Sequence, residues 1–235
     1  MHFPITPLID FLNSVICFFC AFKLYRSYQH EGKEKVIKYF YKAYKAMVVA
    51  YLFFSMPRLI IPHDSFILGT GFIMAHVFLF LAAAYFLMIT VYILRPNWHR
   101  IFFWIFLVLA LGAIILSVIN LNYPVYDTST GITNWNIDHL VGLVITILFA
   151  LVLVPCAVFY YYQGLKSHDD TVKVRSLLIA TGLILLMVSA YTYYSADTQV
   201  KALVSDLFSF TALLTIFFGV YYKRNTNLKN LIQKI

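Results

Sequence analysis

Residues 200–222, VKALVSDLFSFTALLTIFFGVYY, form a 23-residue apolar run with one carboxylate, Asp206, in its first third. A run of this length spans a bilayer as a helix, and a carboxylate inside it needs a partner, a proton or water. Six further runs of spanning length fall at about 7–24, 34–62, 65–94, 101–121, 138–162 and 174–195. In lipid every backbone polar group must be satisfied within the chain, so these runs are expected to be helices. The expected fold is therefore all-α: a polytopic membrane protein whose 235 residues make a single domain, a bundle of seven transmembrane helices. Composition agrees, with 62% apolar and 12% charged residues, against about 45–50% and about 25% in soluble domains.

The second run is short if only its apolar part, residues 46–62, is counted. The segment before it, KEKVIKYFYKAYK, is itself helical in pattern. Val36, Ile37, Phe40, Tyr44 and Met47 make one stripe, and Lys35, Lys38, Lys42 and Lys45 make another. One helix from about residue 34 to 62 is expected, with its first turns among lipid headgroups. That lysine stripe has a second reading, as a face for a cytoplasmic partner.

Lysine and arginine positions set the expected orientation. Sixteen of the 18 flank one side of a seven-span chain, and only Arg58 and Lys201 fall on the other. The expected topology puts the N-terminus outside and the C-terminus in the cytoplasm. The net charge of +8 then answers anionic lipid on the cytoplasmic leaflet, and no nucleic acid partner is expected. No Lys or Arg precedes the first apolar run, and Lys23 and Arg26 follow it. This is the reverse of a cleavable signal peptide, so the first run is expected to remain as a span.

Cys17, Cys20 and Cys156 lie within apolar helical stretches and read as small buried hydrophobes. The longest outer loop, NYPVYDTSTGITNWNI at 122–137, places Val125-Tyr126 and Ile132-Thr133 around a turn-rich stretch, which predicts a small hairpin. It reads either as a lid over an outward-facing pocket or as a cap on helix ends. In the tail, Leu228, Leu231, Ile232 and Ile235 recur at helical spacing and predict a short amphipathic helix.

A charge at mid-bilayer costs about 2.5–3.5 kcal/mol, so each one within a span requires a reason. Arg58 lies five residues before His63, and Asp206 five after Lys201; both are expected about 7–8 Å below the outer interface. Matching depth makes them candidate partners. Pro57 and Pro62 flank Arg58 and predict a bent or partly unwound helix end. His76 falls near the midplane of the third run, and Ser189, Tyr191, Thr192, Tyr193 and Tyr194 cluster at the end of the sixth. The candidate ligand-binding residues are Arg58, His76, Tyr191 and Asp206. With Asp10, His63, Asp138, His139 and Tyr194 they gather in the outer half, which predicts a cavity open to the outside and closed below.

Seven spans invite comparison with three groups. Retinal-binding rhodopsins require a lysine mid-way in the last helix, where this chain has Phe210, so retinal is not expected and no cofactor is. G-protein-coupled receptors carry an acidic-Arg-aromatic triplet where this chain reads LRPNWHR. Ceramidase-type hydrolases need clustered histidines, whereas His63, His76 and His139 stand singly, so no metal is expected. In topology, and in generic stretches such as KVRSLLIATGLILL, the chain resembles the seven-helix sensory modules that precede bacterial signalling domains. That resemblance implies the cytoplasmic membrane of a prokaryote and a separate cytoplasmic signalling partner.

The first functional expectation is a receptor-like or sensory protein that binds a small molecule or lipid from the outside. Arg58 would neutralise an acidic group, Asp206 would hold Arg58 in place, and His76 would close the floor. A transporter or channel is the second reading, favoured by prolines beside a charge and opposed by the apolar inner half. An intramembrane enzyme is third, because no nucleophile–base pair is spelled out.

Overall fold

Seven helices form where the apolar runs lie: α1 Ile5–His30, α2 Lys35–Ile60, α3 Ser65–Leu94, α4 His99–Ile119, α5 His139–Lys166, α6 Asp170–Tyr194 and α7 Gln199–Tyr221. All seven are long and apolar enough to cross a membrane, which makes this an integral membrane protein. The computed structural model describes residues 5–30, 34–127, 132–194 and 198–222. The amphipathic helix expected in the tail lies outside these residues.

Short connections make consecutive helices antiparallel neighbours. The helices pack in chain order, and α1 meets α7 to close the ring. α4 stands partly outside it, because α3 also packs directly on α5. The sequence of α4 explains this position. It buries a single narrow stripe of Phe106, Ala110, Ala113 and Ser117, and offers broad apolar side chains such as Trp104, Val108 and Leu111 to lipid.

The ends of the helices are set by local chemistry. At the end of the bundle opposite the lysine stripe of α2, Asp64 accepts from the Ile67 N–H at 3.0 Å and caps α3. Asp138 accepts from the Leu140 and Val141 N–H groups and caps α5, and Thr198 caps α7. Each satisfies donors that a helix start leaves unpaired. At the basic end the lysine stripe of α2 lies against tyrosines, with Lys35 over Tyr92, Lys38 over Tyr28 and Lys42 over Tyr85. Between these ends α2 is anchored by Tyr44, which is fully buried and donates to the Leu213 carbonyl of α7 at 2.6 Å.

Two local expectations meet different outcomes. The hairpin forms, with β1 Val125–Asp127 antiparallel to β2 Ile132–Asn134 and Tyr126 opposite Thr133. Of the bent or partly unwound helix end expected around Arg58, the unwinding begins only after it: α2 continues through Pro57 to Ile60 and stops short of Pro62. Pro57 has no N–H for the Phe53 carbonyl. The neighbouring helix comes in close there, where a Cβ on Gly71 of α3 would stand 2.9 Å from that carbonyl and 2.7 Å from Pro57 Cγ. A small residue on α3 lets the two backbones approach at the irregular point.

Candidate functional site

The buried face of α1 is unusual for a membrane span because it is polar. Thr6, Asp10, Asn13 and Cys17 recur at spacings of four, three and four, and all are buried, with Ser14 beside them. Asp10, five residues into α1, stands at about the depth that the helical rise gives Arg58 and Asp206. Because α1 packs between α2 and α7, this stripe faces the two helices that carry those charges.

Arg58, 4% exposed, donates through Nη2 to Oδ2 of Asp10, 3% exposed. Its Nε donates to the Phe54 carbonyl one turn back at 2.7 Å. Its guanidinium carbon lies 5.3 Å from the centre of the Trp135 ring. The partner expected from the sequence, Asp206, does not form the ion pair. It lies in electrostatic range of both Arg58 and Asp10, is 3% exposed, and its Oδ2 has no hydrogen-bond partner.

Two cavities meet at this cluster. The inner one, about 100 Å³, reaches into the middle of the bundle and draws its walls from every helix but α4. Asp10 and Asp206 line it, together with aromatic and aliphatic side chains that include Phe54, Phe86 and Phe149. The outer one, about 330 Å³, is lined by Arg58, Thr6 and residues 132–137 of the loop. Tyr193 lines both. Tyr193 therefore stands between a polar vestibule and an apolar chamber whose polar wall is carboxyl and hydroxyl, with Arg58 on the vestibule side and its partner Asp10 on the chamber side.

That hydroxyl wall is held in place by the seam between α6 and α7. Ser189 donates to the Ser205 carbonyl at 2.9 Å, and Ser205 returns a bond to the Ser189 carbonyl at 2.8 Å. The Tyr51 and Ser209 hydroxyls bond across from α2 to α7. Asp206 follows Ser205 directly, so the seam fixes where its carboxylate enters the chamber.

The loop forms the roof. Asn136 takes the left-handed conformation, φ 46°, which asparagine tolerates better than most residues. It is held by bonds to Asn134 Oδ1 at 3.0 Å and the Tyr123 carbonyl at 3.1 Å. This turn sets Trp135 against Phe72 at 5.2 Å and Phe54 at 5.9 Å, above Arg58. Trp135→Ala is expected to cost about 1–3 kcal/mol, because it removes both the ring packing and the cation–π contact. Trp135→Phe should cost less than half as much. Detergent unfolding midpoints check this, and equal losses for the two variants would remove Arg58 from the account.

The remaining sequence candidates fall elsewhere. His76 is 1% exposed, bonds through Nδ1 to the Phe72 carbonyl of its own helix at 2.8 Å, and packs among Phe54, Phe72 and Phe80. It lines neither cavity, so the floor expected of it is made by other side chains. Tyr191 is 69% exposed and also lines neither. Asp138 serves as a helix cap, and His63 lies against Tyr126 of the loop. Asp10, Tyr51, Trp135, Tyr193 and the three serines complete the site. Among the described residues, no three His, Cys, Asp or Glu side chains are grouped to hold a metal ion. No known family model, curated protein or solved structure matches this chain.

Proposed function

We propose that this is a receptor-like or sensory membrane protein that binds a small molecule or lipid in an outward-facing cavity. The observation that carries the reading is the pair of adjoining cavities that share Tyr193, the outer one lined by Arg58 and the inner one by its partner Asp10. Convergent polar groups in a mostly apolar pocket are the general form of a ligand site. Two buried polar atoms without partners point the same way: Asp206 Oδ2 in the chamber and Thr133 Oγ1 by the vestibule. Buried polar atoms are nearly always bonded, and a ligand group is a natural partner for an exception.

Orientation follows from charge. The lysine-rich end faces the cytoplasm by the positive-inside rule, so the vestibule opens outward. The topological resemblance to bacterial sensory modules suggests the cytoplasmic membrane of a prokaryote and a separate signalling partner. The basic half of the bundle favours a receptor over a conducting path. There Leu24, Tyr44, Leu213 and Ile216 are all fully buried.

Native mass spectrometry of the protein released gently from detergent tests the proposal. A bound small molecule or lipid is expected on the wild type and is expected to be lost from Ala190→Leu, which fills the chamber without touching a charge. Equal occupancy in the two proteins would place the ligand outside the chamber and refute the reading.

A further inference from the structure

We propose that the chamber's ligand is a small organic cation, an ammonium that pairs with Asp206 while its apolar body lies against the aromatic walls. The inference rests on reading the chamber as a ligand site, and it names the chemistry of what the site takes.

Three described residues lining the two cavities are charged: Asp10, Asp206 and Arg58. Two carboxyl groups therefore stand near one guanidinium, which pairs with Asp10. Arg58 is already committed, through Nη2 to Asp10, through Nε to the Phe54 carbonyl, and by its face to Trp135. An acidic ligand would have to displace Asp10 from Arg58, leaving a buried carboxyl without its cation. A cation meets a carboxyl that is 3% exposed, lines the chamber and has an oxygen without a partner, and its charge favours the ionised form that pairs with it.

The walls decide which kind of cation. A bare metal ion needs a cage of several oxygens. This chamber offers hydroxyls on one side, and Met47, Phe54, Leu79, Phe86, Phe149 and Leu153 elsewhere. Aromatic faces attract an ammonium and also bury its alkyl part. The volume of about 100 Å³ has room for roughly three waters, or a body of about five heavy atoms.

Three four-carbon probes of similar size test this on the purified 235-residue protein in detergent: n-butylammonium, n-butanol and butyrate, each titrated against thermal unfolding. We expect n-butylammonium to raise Tm saturably by several degrees. Asp206→Asn should weaken that response at least about tenfold, as loss of one member of a buried charge pair does. Ala190→Leu should abolish it. A saturable response to butanol or butyrate that matches or exceeds the ammonium, and disappears in Ala190→Leu, would overturn the charge assignment and leave the chamber as a binding site. An ammonium response unchanged in Asp206→Asn would overturn the assignment of Asp206. No saturable response to any probe would overturn the chamber itself.

Discussion

Asp10→Ala is expected to destabilise the bundle by about 3–5 kcal/mol, the cost of leaving one member of a buried pair alone. Arg58→Met is expected to cost clearly less. The asymmetry comes from the chemistry of the two groups. A carboxylic acid left alone in an apolar setting takes a proton and becomes neutral, whereas a guanidinium keeps its charge at any ordinary pH. Arg58 without Asp10 would remain a buried cation in α2, with only the Phe54 carbonyl, the face of Trp135 and the field of Asp206 to hold it.

The double variant Asp10→Ala/Arg58→Met separates this account from simple loss of packing. Replacing both charges by apolar groups is often close to neutral, so the double variant should regain most of what Asp10→Ala loses. Asp206 supplies a further check. With Asp10 gone it is a carboxyl already within electrostatic range of Arg58, so Asp10→Ala/Asp206→Ala should be worse than the sum of its parts. Unfolding midpoints in a graded denaturing detergent compare the wild type with these four variants and with Asp206→Ala alone. Additive effects throughout, or a double charge deletion as damaging as Asp10→Ala, would mean that the pair does not govern stability.

The sequence made the seven spans legible because lipid leaves the chain few alternatives to a helix. The hairpin was legible too, since β-branched and aromatic pairs flank a turn-rich stretch. The ion pair was legible only in depth. A rise of about 1.5 Å per residue places Arg58, Asp206 and Asp10 at one level but says nothing of which faces meet. The missed signal lay in α1, where Thr6, Asp10, Asn13 and Cys17 keep one polar face at helical spacing. A polar stripe in a span faces inward, and it marked Asp10 as a partner. Tyr191 and Tyr193 show the same limit. Two positions along a helix is a turn of about 200°, so when Tyr193 lines the chamber Tyr191 faces away. His76 was expected to close the floor of the cavity, but it lines neither cavity, and its bond to the Phe72 carbonyl is made within its own helix.

Gly182→Ala is expected to loosen the wall that carries Asp206, at a cost of about 1–3 kcal/mol, the usual range for overpacking. α6 and α7 meet along small or hydroxyl side chains: Ser189 with Ser205, Gly182 with Ala212, and Gly219 with Ile179. Small residues let helix backbones approach closely in a membrane, where packing rather than hydrophobicity holds helices together. A Cβ on Gly182 would collide with Ile216 Cγ1 and stand 2.9 Å from the Ala212 carbonyl. The first obstacle is a side chain and the second is backbone. Ile216→Ala should therefore rescue Gly182→Ala in part and never wholly, and Gly182→Leu should fail to yield folded protein. The reciprocal Ser189–Ser205 bonds lie along the same seam, so a seam forced apart shifts Asp206 as well. Ligand or probe affinity should then fall in Gly182→Ala and recover with the same partial rescue as the unfolding midpoint. Rescue of stability without recovery of binding would separate the seam from the site.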